Sequence, residues 1–366
     1  MRLGFWGDVS FGLGVQPLAE KYGYDYFFDQ VKALLSDTDI NITNFDCTIT
    51  DSEEKNTLRD GSYLKTKPEA ARAMRDAKIA LAVLANNHIW DYCSQGISDT
   101  LRVFEEYGVL TAGVGRTLEA AIKPVVLDAK GIRIGIISCC ELAIQTSCSS
   151  KEYIVASLKP KWIKRTMEEC RNKVDHFLIS IHGGGEFINY PFANQVQTAR
   201  QLIDAGASAV VRHHSHVIGP IEEYHNGLIA YGLGDFIFDQ TDKADLPGRH
   251  YSTGLKLDFD RTRIQGYEII PIVIDNTFRP RPAEQNARNE ILQCVDKLSA
   301  ELADLGHLER KAYTQASGGF VGRQWSSLTK TYKHGGIYSV LEKLGRLRLL
   351  HVRLFASWLC HKIRGK

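Results

Sequence analysis

The sequence predicts an α/β protein, and two observations support that prediction. Short apolar runs alternate with helical patterns from the N-terminus to about residue 275, which is typical of a largely parallel sheet covered by helices on both faces. Polar and imidazole side chains follow the ends of several apolar runs. In open α/β sheets the carboxyl ends of the strands form the edge where ligands bind, so we expect a functional site there.

The first third of the chain shows the alternation clearly. Apolar runs predict three strands, at residues 3–6, 40–45 and 79–84. Helical spacing predicts helices at residues 27–35, 68–76 and 97–107, and a proline opens the second of them. Each of the three strands leads to a polar group, namely Asp8, Asp46 and the segment Asn86-Asn87-His88.

The same pattern continues to residue 275. Strands are predicted at residues 125–127, 132–138, 177–181, 209–211, 228–231, 254–259 and 267–274, and helices at 159–172 and 193–204. A hairpin near Asp260-Arg261 joins the last two strands. Two of the strands end at imidazoles, because His182 follows residues 177–181 and three histidines within residues 213–216 follow the strand at 209–211.

The composition is that of a chain able to bury a full core. The 366 residues are 44% hydrophobic and 24% charged, as in ordinary globular proteins, and the length suits one large domain with an addition or two domains. The net charge of +2 by itself neither predicts nor excludes nucleic-acid binding; we expect no nucleic-acid partner. No CxxC pair occurs, so we expect free, buried thiols of a reducing compartment at all eight cysteines: Cys47, Cys93, Cys139, Cys140, Cys148, Cys170, Cys294 and Cys360.

The N-terminal residues and the lengths of the apolar stretches indicate where the protein is located. The N-terminus leads from Met1 directly into Gly7-Asp8 without the apolar core or cleavage site of a secretory signal. No stretch reaches the roughly 18 consecutive apolar residues that a membrane span needs. We therefore predict a cytoplasmic protein, at most peripheral to the inner face of the membrane.

The side chains at the predicted strand ends are of types that bind metal ions. Carboxylates, an amide oxygen and imidazoles suit one or two divalent ions such as Mn, Fe or Zn, and a two-metal hydrolase needs such groups to converge from several strands. The histidines of residues 213–216 are the strongest signal, because imidazoles are costly to bury without a partner. Taken singly, each position has a structural alternative: a helix cap, a turn, a satisfied core histidine or an exposed side chain.

Six segments in a fixed order carry a family resemblance. They are residues 7–12 (GDVSFG), 44–46 (NFD), 84–91 (LANNHIWD), 180–186 (SIHGGGE), 213–217 (HHSHV) and 231–236 (YGLGDF). Over roughly residues 1–275 the chain resembles the CapA family of bacterial capsule synthesis and poly-gamma-glutamate biosynthesis proteins, a distant branch of the calcineurin-like metallophosphoesterases. The resemblance implies a four-layered α/β fold with two central β-sheets flanked by helices.

The resemblance also implies a role for each matching position. Its metal-binding set would be Asp8, Asp46, Asn87, His182, His214 and His216, with Asp46, or Asn44 in its place, bridging or supporting the ions. His88 would act as general acid or transition-state stabiliser, and His213 is a second candidate for proton transfer. We place the substrate-binding contacts at Asn44, Glu186, Arg212 and Asp235.

Five positions depart from the family pattern, and one of them is Ser215, which replaces a proline. Ser10 stands where phosphoesterases carry a histidine, so the first motif lacks one imidazole. Asp46 replaces a glutamate and is one methylene shorter. Asp235 stands where the family has an asparagine. Arg212 replaces a glycine, and it either adds positive charge for an anionic substrate or forms a surface salt bridge.

The composition changes after residue 278. Residues 279–282 (RPRP) suggest a stiff linker, residues 286–305 a helix, residues 314–322 a loop, and residues 340–363 a basic amphipathic helix. We therefore divide the chain into a metallophosphoesterase-like domain, 1–278, and a helical C-terminal extension, 279–366. Residues 340–366 can lie on an anionic membrane surface, or pack on their own domain or a partner subunit.

Two classes of function follow from these observations. The first is a capsule, exopolysaccharide or poly-gamma-glutamate biosynthesis protein with a metal-dependent hydrolase site for phosphoester bonds, whose substrate is an anionic polymer or a phosphoester. The second is a non-catalytic accessory protein that binds capsule polymer and keeps a degenerate metal site. The set of Asp, Asn and His residues favours the enzyme, and metal content separates the two.

Overall fold

The structure is a computed structural model that describes residues 1–57, 61–141, 148, 152–241 and 248–317. Its strands are β1 (Arg2–Val9), β2 (Ile40–Phe45), β3 (Thr48–Ile49), β4 (Lys65–Thr66), β5 (Ile79–Val83), β6 (Leu110–Ala112), β7 (Val114–Gly115), β8 (Val125–Ala129), β9 (Ile132–Cys140), β10 (Ile154–Val155), β11 (His176–His182), β12 (Ala209–His213), β13 (Ile221–Tyr224), β14 (Gly227–Ala230), β15 (Asp235–Ile237), β16 (Tyr251–Phe259), β17 (Ile264–Ile274) and β18 (Pro280–Pro282).

The helices lie between these strands and at the end of the described chain. They are α1 (Val15–Tyr22), α2 (Lys32–Ser36), α3 (Glu69–Asp76), α4 (Cys93–Glu106), α5 (Leu118–Ile122), α6 (Pro160–Cys170), α7 (Ala193–Asp204), α8 (Gln285–Ala300) and α9 (305–317). Short 3₁₀ turns occur at Tyr24–Phe27, Asp29–Val31, His88–Trp90, Arg171–Lys173 and Glu301–Ala303.

Two large sheets organise the fold. The first sheet has the order β18-β17-β16-β1-β2-β5-β6, with β15 also paired to β1, and the second has the order β13-β14-β12-β11-β9-β8. In the first sheet β15, β1, β2, β5 and β6 are parallel. In the second sheet β9, β11, β12 and β14 are parallel. The edge strands β8 and β13, like β16–β18, are antiparallel to their neighbours.

Three apolar layers hold the sheets and helices together. Between the two sheets, Phe5 and Ile42 of the first share a core with Ile136 and Leu178 of the second. Because successive strand residues point to opposite faces, the neighbouring positions build the outer layers. Trp6 lies in the layer that α1, α3 and α4 cover, and the outer layer of the second sheet packs on α6 and α7. The predicted four-layered fold with two central sheets is therefore confirmed.

The predicted elements are largely confirmed, and two local predictions are wrong. The strand at 40–45 and the helix at 193–204 agree with β2 and α7 at both ends. The supposed linker at 279–282 contains β18, an edge strand paired with β17, a place where proline is tolerated. Residues 314–317 of the predicted loop at 314–322 belong to α9, and residues 318–322 lie outside the described residues.

Part of the predicted C-terminal extension packs against the two sheets. Ile291, Val295 and Leu298 of α8 enter the core between the two sheets. Whether residues 279–366 form a separate domain stays a prediction. Residues 318–366, with the amphipathic helix at 340–366 and its membrane or subunit contact, lie outside the described residues. No helix in the described ranges is long and apolar enough to cross a membrane.

The cysteine prediction is wrong for one pair. Cys93 and Cys148 form a disulfide with their Cα atoms 5.5 Å apart, whereas five other cysteines in the described ranges form no disulfide, namely Cys47, Cys139, Cys140, Cys170 and Cys294. Residues 55 positions apart cannot be paired from the sequence alone. Disulfides are typical of oxidising compartments, so this bond does not favour the predicted cytoplasmic localisation. That localisation stays a prediction.

Replacing both Cys93 and Cys148 by serine is expected to lower the free energy of unfolding by about 4 kcal/mol. The bond closes a stretch of 55 residues, and its loss lets the unfolded chain gain the corresponding loop entropy. Chemical denaturation under non-reducing conditions measures the difference. Cys294→Ser removes a cysteine that makes no disulfide and serves as the control; equal stability of the double variant and this control would contradict the expectation.

Candidate metal centre

The candidate site lies where the carboxyl ends of strands from both sheets meet. The first sheet supplies Asp8 in β1, Asp46 directly after β2, and Asn87 and His88 after β5. The second sheet supplies His182 at the end of β11, and His213, His214 and His216 at and after the end of β12. The strand-end residues of the sequence therefore converge on one edge, although they span more than 200 positions of the chain.

One group of ligand-type atoms contains Asp8, Asp46 and His216. A carboxylate oxygen of each aspartate and a ring nitrogen of His216 all lie within 4.8 Å of one another. All three residues are buried. Two carboxylates and an imidazole at such distances are a suitable ligand set for a divalent transition metal.

A second group surrounds Nε2 of His182. This nitrogen lies 2.8 Å from Oδ1 of Asn87, 3.1 Å from Nδ1 of His214 and 3.8 Å from Oδ1 of Asp46. Asp46 thus belongs to both groups and lies where one carboxylate can bridge two ions. Between Asn44 and Asp46, the alternatives for this position, the geometry favours Asp46.

Burial lowers the pKa of two histidines of the second group. Burial, reinforced by the charge of His214, lowers the pKa of His182 well below its usual range. Burial also lowers the pKa of His214 to about 4, although the charge of Glu186 opposes this shift. Both rings are therefore neutral near pH 7, the form in which imidazole binds a metal.

Acidic neighbours reverse the effect at His216. Burial alone would lower the pKa of His216, but the charge and hydrogen bond of Asp235, with the charges of Asp8 and Asp46, raise it to about 9. Burial alone would likewise raise the pKa of Asp8, but its contact with His213 and the charges of His213, His216 and His182 hold it well below its usual range. Asp8 therefore remains ionised at neutral pH.

The backbone that carries two of the histidines is strained. His214 has φ +90° and His216 has φ +56°, in the left-handed region that non-glycine residues seldom adopt. Such residues persist only when surrounding structure holds them, and they cluster at functional sites. The strain supports a functional reading of the segment His214-Ser215-His216.

Buried neighbours hold the aspartates and His216 in place. Nδ2 of Asn44 donates to Oδ1 of Asp8 at 3.0 Å, and the backbone N–H of His214 donates to Oδ2 at 3.1 Å. Asp235 lies 2.7 Å from Nδ1 of His216 and accepts a hydrogen bond from Gln240 at 2.8 Å. The contacts of Asn44 and Asp235 are thus with metal-type residues, and their binding of substrate stays a prediction.

His88 is oriented by a carboxylate. Its Nδ1 lies 2.8 Å from Oδ2 of Asp91, which also accepts a hydrogen bond from the backbone N–H of Leu64 at 2.7 Å. A carboxylate on Nδ1 fixes the tautomer of an imidazole and directs Nε2 to act on a substrate. Sequence reasoning gave Asp91 no role, although its place three residues after His88 in the segment LANNHIWD was the available signal.

The remaining candidates lie around this centre. His213 is buried with Nδ1 2.9 Å from Oδ1 of Asp8, and within the described residues neither ring nitrogen has the alignment of a hydrogen bond. Glu186 is exposed at the rim. Arg212 is 2% exposed and forms a buried ion pair with Glu141, not the surface salt bridge that we considered. A direct contact of Arg212 with substrate stays a prediction.

A divalent ion fits the residues present. The site offers hard carboxylate and amide oxygens together with the imidazoles of His182 and His214, which are neutral near pH 7, and these groups suit Mn, Fe or Zn. Ser10, which stands where phosphoesterases carry a histidine, adds no imidazole to the site. Its Oγ accepts a hydrogen bond from the backbone N–H of Gly12 at 3.3 Å. The Asp8 group thus has three ligand candidates, and the His182 group has four.

Comparison with known proteins shows the family of this chain. The model of the family "Bacterial capsule synthesis protein PGA_cap" matches residues 2–240, and the chain belongs to this family. It is 30% identical over 241 residues to the capsule biosynthesis protein CapA of Bacillus anthracis, covering 64% of this chain and 59% of that protein. It is 30% identical over 238 residues to the PGA biosynthesis protein CapA of Bacillus subtilis (strain 168), covering 64% and 63%.

The match covers only part of these relatives. The chain spans about three fifths of the length of the two CapA proteins. Among solved structures it is similar to the 5'-nucleotidase of Candida albicans SC5314, with a TM-score of 0.44 and 11% identity over 82% of this chain and 57% of that chain. A likeness of this size does not establish a shared activity.

Proposed function

We propose that this chain is a metal-dependent hydrolase of the phosphoesterase type that acts in the synthesis of an anionic capsule polymer. The observation that carries the proposal is the position of Asp46 between two groups of ligand-type side chains, drawn from both sheets. The polymer class comes from the relatives, which are named for capsule and PGA biosynthesis. The substrate bond is a phosphoester or a related ester of an envelope polymer.

The residues divide the chemistry between them. Asp8, Asp46 and His216 would hold one divalent ion, and Asp46, Asn87, His182 and His214 a second. A bound ion supplies an activated water at neutral pH and polarises the ester oxygen. Asp235 keeps Nδ1 of His216 in its observed orientation at 2.7 Å. His88, oriented by Asp91, donates the proton that the leaving oxygen needs.

Hydrolysis of model phosphoesters tests the proposal. The protein is stripped by chelation, reloaded separately with Mn, Fe(II) or Zn, and assayed on bis-p-nitrophenyl phosphate and p-nitrophenyl phosphate. We expect no hydrolysis after chelation and recovery with at least one of the ions. Hydrolysis that persists after complete chelation would contradict a metal-dependent mechanism.

One observation favours a second candidate function. Ser10 removes an imidazole from the Asp8 group, and its Oγ is engaged with the backbone N–H of Gly12. A protein with this site could bind metal and polymer without turning over an ester. Metal binding by a protein that hydrolyses neither ester would favour this accessory role.

Asp91→Asn is expected to lower kcat about 100-fold or more while leaving the metal content unchanged. The amide presents a donor or a weaker acceptor to Nδ1 of His88 in place of the carboxylate at 2.8 Å, so the imidazole loses its tautomer and orientation. Steady-state kinetics and elemental analysis of the same sample measure both quantities. Asp99→Asn, a half-buried aspartate of α4 that accepts a hydrogen bond from Thr50, is the control, and equal kcat values for the two variants would overturn the role given to Asp91.

A further inference from the structure

Helix α9, at residues 305–317, lies beyond the part of the chain that the family model matches, which ends at residue 240. It nevertheless packs tightly on the body of the protein. Leu308 and Ala312 are fully buried and Ala316 is 4% exposed. Leu308 joins the apolar layer that α7 forms over the second sheet. The helix is therefore fixed to the same side of the molecule as the loop that follows β11.

Three residues in the last turns of α9 contact that loop, residues 183–192. Gln315 and Asn189 make two hydrogen bonds: the backbone N–H of Asn189 donates to Oε1 of Gln315 at 3.0 Å, and Nε2 of Gln315 donates to Oδ1 of Asn189 at 2.8 Å. The rings of Tyr313 and Phe192 pack edge to face at 5.1 Å. Nζ of Lys311 lies over the ring of Tyr190 at 5.5 Å.

The loop in turn contacts the backbone that carries His214 and His216. Nδ2 of Asn189 donates to the carbonyl of Ile218 at 2.7 Å. The backbone N–H of Phe187 donates to the carbonyl of Ser215 at 2.7 Å. These two bonds flank His216, whose left-handed backbone needs surrounding contacts to persist. Hydrogen bonds thus run without a break from Gln315 through Asn189 to the segment 215–218.

The same loop also faces the site. It begins with Gly183-Gly184, directly after His182 at the end of β11, and carries the exposed Glu186. The ring of Phe187 lies 6.0 Å from that of His216. A displacement of the loop would therefore move both the rim of the site and the support of one metal-type histidine.

We propose that α9 is a positioning element of the metal centre and that Gln315 is the positioning residue. Gln315 holds loop 183–192, and through Asn189 it holds the segment 215–218 that presents His216. The consequence for catalysis rests on the proposed function, whereas the consequence for loop order and metal binding does not. The family-matched region would then depend on a helix added after it.

Hydrogen exchange of the full-length protein tests the proposal directly. Gln315→Ala is expected to speed exchange at the backbone amides of Phe187 and Asn189 about tenfold, because two hydrogen bonds to the loop are lost. The affinity for added Mn or Zn is expected to fall several-fold, measured by calorimetry on the metal-free protein. Gln285→Ala, an exposed glutamine on α8, is the matched control and should change neither quantity.

A conservative variant guards against a general loss of structure. Gln315→Glu keeps the oxygen that accepts from the backbone of Asn189 but loses the donor to Oδ1, so its exchange rates should fall between those of wild type and Gln315→Ala. Exchange in loop 183–192 and metal affinity that both match the Gln285→Ala control would overturn the proposal. Absence of hydrolysis in the wild type would count against the proposed function only, because exchange and metal binding are read without turnover.

Discussion

Asp46→Asn is expected to weaken metal binding by at least about 100-fold and to abolish hydrolysis. Replacing groups that merely support a ligand already costs 10- to 100-fold in affinity, and Asp46 lies among the ligands of both groups. A neutral amide would lack the negative charge that a carboxylate would contribute to a bound cation. The loss should appear as the absence of metal-induced stabilisation in thermal unfolding.

The variant should separate function from fold. A ligand present at 1,000 times its Kd stabilises the folded state by about 4 kcal/mol, so wild type should gain this stability when metal is added. The metal-free variant should be as stable as the metal-free wild type or more so, because it no longer buries a charged carboxylate. Asp51→Asn, an exposed aspartate five positions along the chain, is the control. A metal-induced shift of equal size in Asp46→Asn and wild type would refute the role of Asp46.

Gly7→Ala is expected to give the largest loss of stability among single substitutions next to the site, about 3 kcal/mol or more. A Cβ atom at Gly7 would lie 2.2 Å from the carbonyl oxygen of Gly234 and 2.9 Å from the carbonyl carbon of Asp235. These are backbone atoms of the segment that pairs with β1, so no side-chain rotation relieves the contact. The parallel pairing of Asp8 with Asp235 would have to shift.

Two measurements follow from this geometry. Chemical denaturation should show the loss of stability, and metal affinity should fall with it because Asp8 and the partner of His216 both move. Gly266→Ala is the matched control, since a Cβ at this position meets nothing within 4 Å. Like Gly7, Gly266 lies in a strand, here β17. If Gly7→Ala is as stable as Gly266→Ala, the backbone of Gly7 does not lie as close to the carbonyl of Gly234 as the structure shows.

The sequence predicted those parts of the fold that local pattern determines. The parallel strand β5, with the sequence IALAV, appears as a continuous apolar run because both of its faces are covered. The short strand β15 was missed, since three residues carry no period and its pairing with β1 joins positions more than 200 residues apart. The strand β18 was read as a linker because its prolines resemble loop composition, whereas an edge strand accepts them.

The candidate site could be predicted as a set of residues but not as a set of contacts. Strand-end position identified Asp8, Asn87 and the histidines, because parallel strands of a sheet bring their carboxyl ends together. The choice between Asn44 and Asp46 depends on which side chain faces His182, and two residues of the same parity on one strand look alike in sequence. The ion pair of Glu141 with Arg212 is a tertiary contact that no local pattern encodes, whereas Asp91, three residues after His88, was a local signal.

The metal content of the wild-type protein tests the central claim most directly. Protein stripped by chelation is dialysed against a limiting mixture of Mn, Fe(II) and Zn under anaerobic conditions, and bound metal is measured by elemental analysis against protein concentration. The convergence of Asp8, Asp46, Asn87, His182, His214 and His216 predicts one or two tightly bound equivalents of transition metal. Folded protein that retains no transition metal after this treatment would contradict the assignment of this edge of the sandwich as a metal centre.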